Sequence, residues 1–244
     1  RRGEIFRSGM KPMDADLRGD LDLLLEEVPS VAQPEGRSAV GMACTAGEAG
    51  AGPVATAVVR MHADGTLTLM SSSSELGQGA RTVLSQIAAH ELGIDLERVR
   101  YHEGDTMATP FDRSTGASRS TTVMGTAVQM ACRDLLQQMR QIASLFWGCS
   151  PEEVTAAHGV VAAAGKEPLT YRDLITTFYG MAGGELIGRG YSGPLANEGR
   201  LASKPVFWEV GVAGAEITLD EETGVIELQR YVSIADAGKA VHPR

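Results

Sequence analysis

Apolar residues recur every three or four positions in several parts of the chain, the spacing of an amphipathic helix. Four stretches show this spacing: 17–28, 82–92, 118–146 and 171–178. The second stops at Gly93, a residue type that commonly ends helices, and Pro151 has the context of one further helix start. We therefore predict four helices and a fifth helical start.

Shorter runs rich in β-branched residues, bounded by turn residues, predict strands. Three hairpins are predicted: 54–61 with 66–70, the stretch 160–169 about Gly165, and 206–219 with 225–234. One further strand is predicted over 98–101. We interpret 45–53 as a Gly/Ala-rich connection and 104–116 as an irregular loop. The predicted class is α+β, with mixed sheets built from β-hairpins and helices packed on them.

Composition narrows the classes of function. A formal net charge of −9 over 244 residues argues against a nucleic-acid binder, and no apolar run approaches the roughly 20 residues of a membrane helix. The three cysteines have no CxxC spacing, so neither a disulfide framework nor a cysteine zinc site is expected, and a reducing cytoplasm is the default location. Both ends have the character of cuts within a longer protein.

The tripeptide Gly77-Gln78-Gly79 precedes the second predicted helix. Glycines allow a ligand to approach the backbone, and N–H groups at a helix start favour an anionic or carbonyl-rich ligand. Taken alone, the tripeptide favours a flexible turn over a ligand site. It also nearly matches the dinucleotide-binding fingerprint, but Thr82 stands where that fingerprint has its third glycine.

A second small-residue segment, Gly116 to Ser120, precedes the longest predicted helix. Its N–H groups and two hydroxyls favour a phosphate at the positive end of the helix dipole. The alternative is that Ser118 or Ser120 serves only as a helix N-cap. An esterase nucleophile elbow would require glycine at Ser120, so that interpretation fails.

Other polar residues predict no catalytic or metal centre. The five histidines lack metal-binding spacing, and we expect them to be surface or packing residues. Asp105, Asp112 and Arg113 lie in the predicted loop, where a solvated or turn-stabilising role is expected. We therefore nominate no catalytic residue and no metal ligand in this chain.

A series of segments resembles the large subunit of molybdenum hydroxylases, the xanthine dehydrogenase/aldehyde oxidase family. These segments share the family's order and spacing: Glu75–Thr82, Gln86–Ala88, Asp105–Thr106, Ala117–Ser120, Gly125–Val128, Glu216–Gly224 and Asp236–Pro243. The resemblance covers about residues 37–244, and His242 departs from the asparagine usual in the family. It implies a leading helix and connection over 1–36 and a partial molybdopterin-binding domain over 37–244, with a division into two lobes near 150–205.

In this family the two small-residue segments contact the pyranopterin and its phosphate. The resemblance therefore implies these cofactor-binding candidates: Gly77, Gln78, Gly79, Thr82, Ala117, Ser118, Arg119 and Ser120. The family's Gly/Phe-rich segment and its arginine-bearing pocket segment are absent upstream. Its general-base glutamate and second pterin-facing glutamine belong beyond Arg244. We therefore expect no turnover from this chain alone.

For the parent enzyme, the resemblance implies hydroxylation of a heterocycle or aldehyde with oxygen taken from water. It further implies molybdopterin, in mononucleotide or cytosine dinucleotide form, with [2Fe-2S] clusters and FAD on other domains or subunits. The expected partners are the rest of the large subunit, the iron–sulfur and FAD components and a small-molecule substrate, with no nucleic acid or membrane. The alternative is a non-catalytic ligand- or partner-binding module that keeps the scaffold.

Overall fold

The computed structural model describes residues 13–28, 37–50, 54–102, 104–193 and 207–242. These ranges contain four α-helices: α1 Leu17–Glu27, α2 Ala80–Leu92, α3 Gly125–Trp147 and α4 Tyr171–Tyr179. Ten strands accompany them: β1 Ser38–Ala49, β2 Ala55–His62, β3 Leu67–Met70, β4 Val99–His102, β5 Thr155–Ala157, β6 Val160–Ala162, β7 Leu169–Thr170, β8 Glu185–Ser192, β9 Phe207–Leu219 and β10 Ile226–Asp236. The mixed α+β class predicted from the sequence is confirmed.

The chain divides into two compact units that interleave in sequence. The first combines Arg1–Ala51 with Lys204–Ala240, and the second combines Gly52–Ser203 with Val241–Arg244. The boundaries proposed from the sequence, at 36/37 and near 150–205, stay a prediction.

The first unit is an antiparallel sheet with strand order β1-β9-β10 and α1 packed on it. Leu24 and Val28 of α1 are buried against Val212 of β9. The hairpin of β9 and β10 was predicted, but the interpretation of 45–53 as a connection was wrong, since β1 continues to Ala49. Its Gly/Ala-rich sequence has low strand propensity, and pairing with β9 along its whole length decides its conformation.

The second unit has a four-stranded sheet of order β4-β3-β2-β8. The predicted β2–β3 hairpin is confirmed, and α2 connects β3 to the parallel strand β4. Six apolar side chains from β2 and β3 are fully buried: Ala55, Ala57, Val59, Met61, Leu67 and Leu69. Helix α3 packs on β2 and β8, so that the start of α3 comes close to the end of β3.

The remaining predictions in this unit are confirmed in part. The third sheet has order β5-β6-β7 and contains the predicted hairpin about Gly165, and α4 follows it as expected. The helix start at Pro151 continues for only one 3₁₀ turn, Pro151–Glu153, before the chain enters β5. No helix within the described ranges is long and apolar enough to cross a membrane.

Candidate functional site

A polar segment after β3, Ser71 to Ser74, connects the two glycine- and serine-rich segments singled out in the sequence. The Ser73 hydroxyl donates to Ser120 Oγ at 3.4 Å, and the Thr115 hydroxyl donates to the Ser74 carbonyl at 3.1 Å. Tyr101 donates to the Ser73 carbonyl at 3.0 Å, and burial raises the pKa of this phenol, which keeps it a donor. The turn at 77–79 and the segment 117–120 therefore lie at the same edge of the second unit.

The N-terminus of α2 is capped by Glu75. Its carboxylate accepts hydrogen bonds from the N–H groups of Gly77 and Gly79, both at 2.9 Å, and of Arg81 at 3.1 Å. These bonds, with that from Arg81 the largest contributor, hold the pKa of Glu75 below its usual range. The expectation that the Gly77 and Gly79 N–H groups are open to an anionic ligand is corrected, because Glu75 already provides the negative charge.

Gln78 lies in the turn between two glycines with positive φ, 97° at Gly77 and 78° at Gly79. Its Oε1 accepts from the Leu76 N–H at 2.6 Å, and its Nε2 donates to the Ser74 carbonyl at 2.9 Å. A primary amide has two N–H donors and two lone pairs, so one of each remains for a ligand. Thr82 is exposed on the first turn of α2.

The segment before α3 has unusual backbone geometry. Ala117 and Ser118 have φ values of 51° and 50°, a conformation that costs a non-glycine residue about 1–3 kcal/mol. One π-helical turn, Ser120–Met124, then leads into α3. Arg119 occupies the cap position and its side chain makes no capping bond, so neither serine is the N-cap considered in the sequence analysis. The segment is held by something other than ordinary helix capping.

Arg119 is buried, with 2% of its side chain exposed. Its Nη1 donates to Asp112 Oδ1 at 2.5 Å and to the Ser114 carbonyl at 2.9 Å, and its Nη2 donates to the Val54 carbonyl. The Asp112 side chain is also 2% exposed, so of its two predicted roles the solvated one is wrong, whereas its bond from the Arg113 N–H at 2.8 Å agrees with a turn-stabilising role. Removing either partner would leave a buried charge uncompensated, at a cost of about 3–5 kcal/mol.

The structure thus brings together both predicted segments and adds two residues that the sequence analysis did not select, Glu75 and Asp112. An acidic residue ahead of a helix start is a recognisable capping signal, so Glu75 was accessible to sequence reasoning. Asp112 carries no such signal. Among the described residues, no group of three His, Cys, Asp or Glu side chains could hold a metal ion, and all three cysteines are free.

A family model for the molybdopterin cofactor-binding domain matches residues 21–244. The chain belongs to this family. The molybdopterin-binding domain is 27% identical over 223 residues to the 6-hydroxypseudooxynicotine dehydrogenase complex subunit gamma of Paenarthrobacter nicotinovorans, covering 90% of this chain and 27% of that protein. It is 30% identical over 219 residues to a putative xanthine dehydrogenase molybdenum-binding subunit of Escherichia coli, covering 85% of this chain and 28% of that protein.

Solved structures agree on the fold of this molybdopterin-binding domain. Quinoline 2-oxidoreductase from Pseudomonas putida 86 matches 96% of the chain with a TM-score of 0.77 at 20% identity. CO dehydrogenase from Oligotropha carboxidovorans matches 96% with a TM-score of 0.75, also at 20% identity. The domain spans about a quarter to a third of the length of these proteins.

The residues at the shared edge fit an anionic, hydrogen-bonding cofactor. Arg119 Nε is buried without a hydrogen-bond partner among the described residues, and such a donor gains from an added acceptor. The π-helical turn begins at Ser120, which carries a hydroxyl, and the side chain of its cap residue, Arg119, makes no capping bond. Gln78 keeps one free N–H and one lone pair at the same edge. Donors and an amide together suit a phosphate next to a heterocycle.

Proposed function

We propose that the edge formed by residues 74–82 and 115–120 is one wall of the molybdopterin pocket of a molybdenum hydroxylase. The observation that carries this proposal is the set of hydrogen bonds through Ser73 and Ser74, because they hold both small-residue segments at one place. The proposed cofactor-binding residues are those predicted from the sequence: Gly77, Gln78, Gly79, Thr82, Ala117, Ser118, Arg119 and Ser120.

The two helix starts at this edge differ in charge, which supports an orientation for the cofactor. Glu75 fills the N-terminus of α2 with a carboxylate, whereas the side chain of Arg119, the cap residue before the Ser120 turn, makes no capping bond. An anion is favoured at the second and repelled at the first. In our proposal the phosphate therefore lies on the 117–120 side, and Gln78 contacts an uncharged part of the cofactor through its spare donor and acceptor.

The chain's own groups bind and orient in this proposal, and they transfer no proton. The cofactor, when bound, supplies the redox chemistry that inserts a water-derived oxygen into a carbon–hydrogen bond. Gly77 and Gly79 carry no side chain, so they leave room for close approach to the backbone. We nominate no general base among these residues, and we expect that residue in the rest of the large subunit.

The proposal extends to the protein that contains this domain. Its relatives are a dehydrogenase complex subunit and a molybdenum-binding subunit, which supports a multi-component oxidoreductase with partner subunits. We propose that [2Fe-2S] and FAD components receive the electrons, that the substrate is a heterocycle or an aldehyde, and that the enzyme works in the cytoplasm. Whether the pterin carries a cytosine nucleotide is part of what the experiment determines.

The test is cofactor analysis of the complete large subunit, purified with its complex from cells able to make molybdopterin. The proposal predicts stoichiometric molybdenum and a pterin that fluoresces after oxidative release, and nucleotide analysis of the released cofactor identifies its form. A well-folded complex without molybdenum and pterin would refute the proposal and favour a non-catalytic module.

Gln78→Ala gives a sharper test of the site. Its two local hydrogen bonds are exposed, so their loss should cost no more than about 1 kcal/mol of unfolding free energy. The loss of a cofactor contact should lower molybdenum content about tenfold. Gln138→Ala is the matched control, since Gln138 Nε2 donates at 2.7 Å to the Ile187 carbonyl away from this edge. Equal molybdenum content in both variants would remove Gln78 from the site.

A further inference from the structure

We infer that Arg119 and Asp112 are positioning residues, which hold the 117–120 turn in its ligand-ready conformation; this inference rests on the proposed cofactor role of that turn. The two Nη atoms of Arg119 bond to acceptors within the protein, so this part of the side chain supports the turn, while Nε is left as the donor proposed for the cofactor. The pair is buried on both sides, with 2% of each side chain exposed.

The residue types in the turn at 117–120 do not favour the backbone conformation that it adopts. Ala117 and Ser118 both have positive φ, and neither is glycine or asparagine, the residues that adopt this region readily. Both residues are exposed, so core packing does not hold them either. A conformation of this kind persists only where neighbouring structure imposes it.

The Arg119 side chain anchors the backbone of Ala117 and Ser118 in this conformation. Its guanidinium bonds to acceptors in two other places in the second unit, the loop at Asp112 and Ser114 and the carbonyl of Val54 just before β2. The backbone at Asp112 also pairs with Ala55, the first residue of β2. The side chain thus fixes the residue directly after the strained pair to a rigid strand.

The other end of the turn is fixed as well. Ser120 Oγ accepts from Ser73 at 3.4 Å, and the π-helical turn begins at the same residue. Strained backbone and π-helical turns both concentrate at functional sites. Here they occupy neighbouring residues, between an anchored Arg119 and a long helix, at the edge assigned to the cofactor.

The first measurement concerns the chain without cofactor. Asp112→Asn removes the charge partner of Arg119 and keeps the side-chain shape. Hydrogen exchange of the amides in 117–124 should accelerate at least about tenfold, while the centre of α3 stays unchanged. The matched control is Glu185→Gln, which removes the carboxylate 2.6 Å from Arg60 on the same unit and should leave 117–124 unaffected. Unchanged exchange in Asp112→Asn would overturn the positioning role.

The second measurement is molybdenum content of the full large subunit in its complex. We expect about a tenfold loss in Asp112→Asn, a typical effect of removing a supporting residue, and none in Glu185→Gln. Arg119→Lys keeps the positive charge but offers one ammonium group to three acceptors. We therefore expect its molybdenum content to lie between those of wild type and Asp112→Asn. This variant tests the inference even if Asp112→Asn folds poorly. Full cofactor content in a variant with accelerated exchange would overturn the inference alone. A wild-type subunit without cofactor would overturn the proposed function, and the positioning role with it.

Discussion

Gly190 in β8 lies directly under α3, and we predict that Gly190→Ala strongly destabilises the second unit. An added Cβ would stand 1.9 Å from the Ala127 carbonyl oxygen and 2.3 Å from the Ala131 nitrogen. Gly188 has the same character, with 2.2 Å to the Ala131 carbonyl oxygen. The two glycines therefore let the backbone of α3 rest on the backbone of β8.

The size of the effect follows from these distances. Real Cβ atoms essentially never approach a heavy atom within 3.0 Å, so α3 and β8 must separate by about 1 Å at Ala127. Inserting a methyl group into a packed core costs about 1–3 kcal/mol, and a gap of 0.5–1 Å loses about a quarter to a half of the dispersion energy around it. We expect about 4 kcal/mol in total, because both clashing partners are backbone atoms that cannot rotate away. A domain at the low end of the usual range of about 5–15 kcal/mol has little stability left after such a loss.

Urea unfolding followed by far-ultraviolet circular dichroism measures this cost, since three of the four helices belong to the second unit. Gly41→Ala is the control, because Gly41 also lies in a strand and a Cβ there meets nothing within 4 Å. The control should stay within about 1 kcal/mol of wild type. A Gly190→Ala protein with an unfolding free energy equally close to wild type would refute the backbone-on-backbone packing of α3 and β8.

Two further predictions concern ionisable groups. Folding lowers the pKa of Glu75 below its usual 4.5, chiefly through the hydrogen bond from the Arg81 N–H. The ionised carboxylate therefore stabilises the fold fully above pH 4.5, and this stabilisation is lost as the pH falls through the lower pKa of the folded state. Between about pH 5 and 3 Glu75→Gln should lose less stability than wild type, and parallel curves of melting temperature against pH would contradict this. Burial raises the pKa of the Cys132 thiol to about 12, so iodoacetamide should modify it at least about 100-fold more slowly at neutral pH than the exposed Cys44. Mass spectrometry of the two peptides gives both rates, and similar rates would exclude the buried thiol.

The elements predicted from the sequence are those whose apolar side chains follow a regular helical or strand spacing. Helices α1, α2 and α4 appear with bounds within a few residues of the predicted ones, as do the β2–β3 and β9–β10 hairpins. Three of the described strands were missed: β5 is only three residues long, and β1 and β8 are rich in glycine. In β8 the glycines exist to admit α3, so the feature that weakens the local strand signal is the one that the tertiary packing requires.

In the candidate site, too, local sequence signals identify segments but not the long-range contacts of single residues. Sequence reasoning located both segments of the proposed site, because glycines and serines before a helix carry a local signal. It did not find the ion pair of Arg119 with Asp112, since no local rule reveals that residues seven positions apart are buried as a pair. It also left the start of α2 open to an anionic ligand, although Glu75 closes it. Only the fold decides which donors are already used, and the donors that remain determine which end of a cofactor can lie on each side.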